Sequence, residues 1–226
     1  GYAKLARSII VNRKAIALQE ALRQGFDKLL ELGAPRKAII FTDSTKTQEY
    51  IAQSLGAAGF GGDRLVLFNG QNNSPQSTAI YRQWLKDNTG SDLITGNSTA
   101  DRRKALVDYF RDHGQIMIAT EAAAEGLNLQ FCSMVVNYDL PWNPQRVEQR
   151  IGRCHRFGQR YNVVVVNFLN KGNIAEQRIF ELLSDKFHLF RGIFGASDEV
   201  LGRIEDGLDF ETQISDILNR CHTAEE

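Results

Sequence analysis

No apolar run in this sequence of 226 residues approaches the ~20 residues that a membrane-spanning helix needs. The N-terminal stretch GYAKLARSII has no apolar h-region followed by a cleavage site, so no secretory signal is read there. Cysteine is scarce: Cys132, Cys154 and Cys221 are odd in number, far apart and form no CxxC pair. That excludes a disulfide framework, argues against a zinc site and fits a reducing cytoplasm. An excess of one charge is missing too, with 27 Lys and Arg against 27 Asp and Glu. A neutral chain has no general pull toward nucleic acid, so any such site must come from local charge placement. Internal repeats and low-complexity tracts are also absent.

What is present is ordinary for a globular domain: 42% apolar and 24% charged residues. A chain of this size can bury roughly 70% of the surface it exposes when unfolded. The spacing of Leu18, Leu22, Phe26, Leu29 and Leu30 predicts one long helix over 5–32, stopped by Gly33 and Pro35. Short apolar runs bounded by turn formers predict buried strands at 37–43, 64–68, 115–120, 134–138 and 162–169. Helices are predicted at 46–55, 78–85, 101–110 (capped by Ser98 or Thr99) and 144–157 (capped by Asn143, with Pro144 first). NGQNNSPQ (69–76) reads as a loop. Strands alternating with helices imply an α/β fold, a mainly parallel sheet with helices on both faces. From Gly172 onward the pattern is helical only, and residues 198–226 set nine acids against Arg203 and Arg220. Such a tail suits a solvated or partner-facing appendage, not a nucleic-acid surface.

The most unusual stretch is QRVEQRIGRCHRFGQR (145–160), with five arginines and one glutamate. On a helix Arg146, Arg150 and Arg153 share a face, and Arg153 neighbours Arg156. Arginine keeps its charge and forks well onto phosphate, so a buried cluster of this kind points to an anion. The alternative is a solvated basic face making surface ion pairs; interleaved Ile151, Gly152 and Phe157, with a single acid nearby, weigh against it. Two further segments end strands. TEAAAEGLNLQ (120–130) is rich in small residues that let backbone approach a ligand, and FTDS (41–44) supplies hydroxyls and an acid. Ligands of open parallel sheets bind beyond the strands' carboxyl ends. Each segment alone also fits plain packing.

The order FTDS, GNST, TEAAAEGLNLQ, YDLPWNP and QRIGRCHRFGQ resembles the second, RecA-like motor lobe of superfamily two helicases and translocases. It is most similar to the Swi/Snf-like branch, which includes the bacterial RNA-polymerase-associated ATPase. The resemblance covers about residues 1–190. It implies that Gln149, Arg153 and Arg156 face ATP bound to the other lobe, with Arg156 and Arg153 as arginine fingers on the γ-phosphate. It places Gly126 and Asn128 near the nucleotide sugar and the lobe interface. Phe41, Thr42, Ser44, Ser98, Arg103 and Thr120 would lie along a track for a strand's phosphates. Trp142 would lie beside DNA; a core or turn tryptophan is the equal alternative.

Three parts are therefore expected: an N-terminal helix or linker (1–35), the RecA-like lobe (36–171, with an insert at about 61–95), and a helical C-terminal appendage (172–226). No GxxxxGK[ST] occurs, and Asp198–Glu199 sits in the helical tail. The phosphate loop and the magnesium-binding acid would thus belong to an N-terminal motor lobe in a longer protein. The resemblance implies ATP and Mg2+ as cofactors and nucleic acid, DNA before RNA, as partner, with no membrane. RNA polymerase or defence-system proteins are further partners such motors serve. Two rival readings are a non-catalytic binding module on a helicase-like fold and a small-nucleotide enzyme on an unrelated parallel sheet.

Overall fold

A computed structural model describes residues 2–141, 143–155 and 161–169. The first helix, α1 (Tyr2–Glu31), runs to the glycine stop expected of it. Gly33 takes φ 68°, its N–H meets Leu30 O and the N–H of Ala34 meets Leu29 O. That pattern closes the helix with a left-handed residue that glycine adopts without a Cβ penalty. Leu18, Leu22, Phe26 and Leu29 are fully buried as the periodicity predicts, but Leu30 is 67% exposed and lies off the stripe. Leu18, Ala21, Leu22, Phe26, Leu29 and Ala34 share one core cluster with the strands. Gly25 leaves room for the side chain of Met134: a Cβ there would sit 2.3 Å from Cε of that residue.

Among the described residues five strands follow: β1 (Ala38–Thr42), β2 (Leu65–Phe68), β3 (Ile116–Thr120), β4 (Met134–Asn137) and β5 (Val164–Asn167). All pair in parallel, in the order β2-β3-β1-β4-β5. Alternation along the strands divides the core. Ala38, Ile40, Ile116, Ile118, Met134 and Val136 meet α1 and α2 (Thr45–Leu55). Ile39, Phe41, Met117, Ala119 and Val135 meet α4 (Ser98–Asp112) and Cys154 of α6 (Pro144–Cys154). Both faces of the sheet are thus covered by helices, the arrangement that continuous apolar strands require.

Two predicted details shift. The cap of α4 is Asn97, whose side chain accepts from the N–H groups of Thr99 and Ala100, so Ser98 and Thr99 are already helical. Helix α3 (Pro75–Asp87) starts inside the predicted loop, with Ser74 as cap and Pro75 at its first turn. The segment 61–95 contributes α3 and also β2, an edge strand of the sheet. Expected features that hold are the Asn143 cap and Pro144 start of α6. A buried glutamine ties the layers together. Gln48 of α2 donates to Phe68 O and Ile118 O and accepts from Asn69, which fastens the carboxyl ends of β2 and β3. The helical appendage expected at 172–226 lies outside the described residues.

Candidate nucleotide and nucleic-acid edge

Because every strand is parallel, the carboxyl ends share one edge of the sheet. Phe68, Ala119, Phe41, Asn137 and Asn167 stand in register there, with Thr42 opposite Thr120 one step further out. The N-terminus of α4 reaches the same edge, since its other end leads into the start of β3. The motif segments leave the sheet from this edge, and α6 starts just after it.

The structure separates the predicted residues into two groups. Phe41 and Thr42 turn inward. The Phe41 ring is 1% exposed, and the Thr42 hydroxyl is buried, donating to Asp139 Oδ2 at 2.6 Å. Their side chains belong to the interior because a central strand of a covered sheet is buried on both faces. Thr120 is mostly buried at the end of β3, just before the short helix α5 (Glu121–Ala124). Ser44 is exposed and caps α2, accepting from Thr47 N–H at 3.1 Å. Ser98 is exposed at the first position of α4. Arg103, a turn further on, donates to Glu125 O at 3.0 Å, and its guanidinium lies 5.2 Å from the Phe68 ring centre. Arg103 thus fastens α4 to the turn before Gly126. Gly126 is exposed at φ 79°, with open space where a Cβ would be, so its backbone conformation is what calls for glycine. Asn128 is exposed nearby. Trp142 and Arg156 lie outside the described residues.

Helix α6 splits its arginines. Val147, Arg150 and Cys154 are buried, whereas Arg146 and Gln149 are exposed and Arg153 is partly exposed. Among the described residues, the Arg153 guanidinium has no hydrogen bond or ion pair. Its carbonyl accepts from Leu129 N–H at 2.9 Å, which ties α6 to the 121–130 segment. Cys132 and Cys154 are both buried and are not joined in a disulfide.

Arg150 differs most from expectation. Its Nε donates to Glu121 Oε2 at 2.6 Å, Nη2 meets the same oxygen, and Nη1 donates to Asn137 Oδ1 and Asp139 O, both at 2.9 Å. The ring of Phe41 lies 4.9 Å below the guanidinium, and Asp43 adds an ion pair at 3.8 Å. Its anion is thus within the lobe. The lack of a local acid, which weighed against ion pairing, is answered by Glu121 29 positions away in sequence. Burial lowers the pKa of Arg150, opposed by Glu121 and Asp43. Burial, then Asp139, raises the pKa of Asp43. Burial also pushes Asp139 upward, but Lys14, the Thr42 hydroxyl and the Asp43 N–H outweigh it and hold that carboxyl low. Sequence reading missed Glu121, Asn137 and Asp139. One signal was available: Arg150 falls at helical spacing with Val147 and Cys154, on the buried stripe.

The GNST turn is held by another carboxylate. Asp101 accepts from the Thr95 hydroxyl and N–H and from Gly96 N–H, and the Thr95 bonds hold its carboxyl below the ordinary aspartate range. A depressed folded pKa gives stability that is present above the unfolded value and lost as pH falls through the folded one. Amide exchange at Thr95 and Gly96 is therefore expected to accelerate below about pH 4, relative to amides of β1, as read by hydrogen exchange. Equal protection at pH 5 and pH 2.5 would show that the carboxylate does not hold the turn.

A parallel five-stranded sheet covered on both faces, with polar and basic groups gathered beyond its carboxyl edge, defines a RecA-like α/β lobe. Residues 58–158 match the helicase conserved C-terminal domain family. Residues 58–158 thus carry a helicase conserved C-terminal domain, and the chain is similar to an ATP-dependent helicase and to RapA. It is 40% identical over 73% of its length to the uncharacterized ATP-dependent helicase YqhH of Bacillus subtilis, of which it covers 29%. It is 42% identical over 45% of its length to the RNA polymerase-associated protein RapA of Vibrio cholerae, covering 11% of that protein. The chain thus spans less than a third of either relative. The fold is shared with the C-terminal part of the Fun30 ATPase domain, at TM-score 0.52 and 20% identity, covering 92% of this chain and 52% of that one. It is also shared with S. cerevisiae Dbp5 bound to RNA and ADP BeF3, at TM-score 0.52 and 23% identity, covering 78% and 37%.

Proposed function

We propose that this chain is the ATP-facing and strand-gripping second lobe of a nucleic-acid translocase that acts on double-stranded DNA in preference to RNA. The observation that carries this reading is the outward face of α6. Gln149 and Arg153 stand exposed or partly exposed there, with Arg153 unpaired among the described residues, while Arg150 anchors the same helix from beneath. An unpaired arginine on a braced helix suits a phosphate arriving from across a cleft.

ATP supplies the transferable phosphoryl group. Gln149 and Arg153, with Arg156 by motif, would meet it from this side, and Gly126 and Asn128 would line the sugar end. Mg2+ and the phosphate loop are assigned to the other lobe because this sequence holds no GxxxxGK[ST]. Ser44, Ser98 and Thr120, at one edge of the sheet, would supply hydroxyls to a phosphate backbone. Arg103 contributes through the turn it holds. Backbone contacts of this kind carry little sequence information, so motion along a duplex need not depend on sequence. A reducing compartment, the cytoplasm, is the reading that three cysteines far apart in the sequence support.

The chain alone is expected to hydrolyse no ATP, with or without DNA, and to bind ATP no more tightly than about 1 mM. Duplex DNA binding should be weak and should fall steeply as salt rises from 50 to 200 mM, as phosphate contacts do. Phosphate-release assays and DNA titrations at several salt concentrations check both. Turnover that persists after repurification of the chain, or strong preference for one DNA sequence, would sink this reading.

A further inference from the structure

Arg150 and Glu121 form a link whose two ends are functionally placed. Glu121 follows Thr120 directly and opens α5, the segment that leads to Gly126 and Asn128. Arg150 lies one turn before Arg153 on α6. A second bond runs beside it, from Leu129 N–H to Arg153 O. The guanidinium is 2% exposed. Its donors go to Glu121, Asn137 and Asp139. Asn137 is itself fixed by donating to Asn167 Oδ1 at 2.7 Å, and Asp139 by bonds from Thr42 and Asp43. The segment after β3 and the helix that carries Arg153 are thus joined to each other and to the carboxyl ends of β1, β4 and β5.

We propose that Glu121 and Arg150 are positioning residues: their ion pair sets the register of α6 against the 120–129 segment and so holds Arg153 where it acts on phosphate. The inference rests on the arginine-finger reading of Arg153. Neither residue touches the nucleotide; both act through Arg153. A side chain that must meet a developing charge loses much of its effect when its support moves by about 1 Å, and a buried charge pair fixes position well because it has few alternative partners.

The test uses Glu121→Gln, which keeps the size of the side chain and one acceptor but removes the charge, so the buried guanidinium loses its nearest counter-ion without a cavity and keeps only the longer pair to Asp43. In a protein carrying both motor lobes, the DNA-stimulated turnover number per folded molecule is expected to fall at least ~10-fold, with KM for ATP changing less than ~3-fold. Combined with Arg153→Ala, Glu121→Gln is expected to lower turnover no further, since both act through one group. In the present chain, hydrogen exchange at the Leu129 amide is expected to speed by at least ~10-fold while the β1 amides stay unchanged. Arg150→Lys, which keeps charge but loses the fork, should reproduce the turnover loss. Normal turnover in Glu121→Gln beside an inactive Arg153→Ala overturns this proposal and leaves the finger intact. Multiplying effects of the two substitutions overturn it as well. Full turnover in Arg153→Ala overturns the finger reading and this proposal together.

Discussion

Replacing Arg153 by alanine in a protein that carries both lobes is expected to cut ATP turnover by at least ~100-fold, about 2.7 kcal/mol of barrier. The side chain is partly exposed and, among the described residues, unpaired, so its removal leaves no buried partner behind. Its helix is held by other groups: Val147 and Cys154 in the core, Arg150 on Glu121, and the Asn143 cap. The melting temperature of the chain should therefore stay within ~1 °C, as for a surface substitution away from special features. ATP affinity should change far less than turnover, because an arginine aimed at transferring phosphate binds the transition state more strongly than the ground state. Arg153→Lys should fail nearly as badly, since an ammonium group cannot fork two phosphate oxygens. Turnover and thermal unfolding measured on the same samples separate this role from a structural one. A variant that turns over normally once folded molecules are counted ends the finger role of Arg153. The same pair of measurements applies to Arg156, which the motif assigns the same task.

Phe26→Ala is expected to destabilise the isolated chain by about 3–5 kcal/mol, against the ~5–15 kcal/mol that holds a typical domain together. Phe26 is fully buried beneath the sheet, its ring centre 6.3 Å from that of Phe60 and 5.4 Å from the Arg36 guanidinium. Removing the ring costs transfer energy and leaves a cavity that neighbouring strands, fixed by their ladders, cannot fill. Leu30→Ala, four positions later on the exposed side, should change stability by no more than about 0.5 kcal/mol. Urea denaturation followed by far-UV circular dichroism gives both values. Equal small effects would mean that α1 is a separate arm; the burial of Leu18, Leu22, Phe26 and Leu29 makes it one of the layers covering the sheet.

Much of the lobe was legible in the residues. Apolar runs within 37–43, 115–120 and 134–138 suit strands covered on both faces, as in a parallel sheet, and 38–42, 116–120 and 134–138 are buried throughout. The Asn143–Pro144 start of α6 and the Gly33 stop of α1 are local signals with local causes, a side-chain acceptor for free N–H groups and a left-handed residue. The motif order resembles that of the helicase family because it samples the carboxyl-edge segments after β1, β3 and β4.

Other features depend on distant chain segments. Asn97 displaces Ser98 and Thr99 as the cap of α4 because Asp101 pulls the preceding turn onto the helix through Thr95 and Gly96. Leu30 is 67% exposed beside the fully buried Leu29, so the buried stripe of α1 ends on Leu29 and not on Leu30. Phe41 and Thr42 sit in a motif that suggests a surface role, yet their places on a central strand bury both.

The arginines of α6 mark the division most clearly. Composition and helical spacing alone gathered Arg146, Arg150 and Arg153 on one side of a helix beside a ligand edge. Which of them turns inward was decided only when β1, β3 and β4 were laid side by side in parallel. That register brought Glu121, Asn137 and Asp139 to the same point as Arg150. Helix propensity and capping act within a few residues of the chain, so sequence determines them. A buried charge takes its partner from whatever the fold brings within about 3 Å, and for Arg150 those partners come from the ends of two different strands.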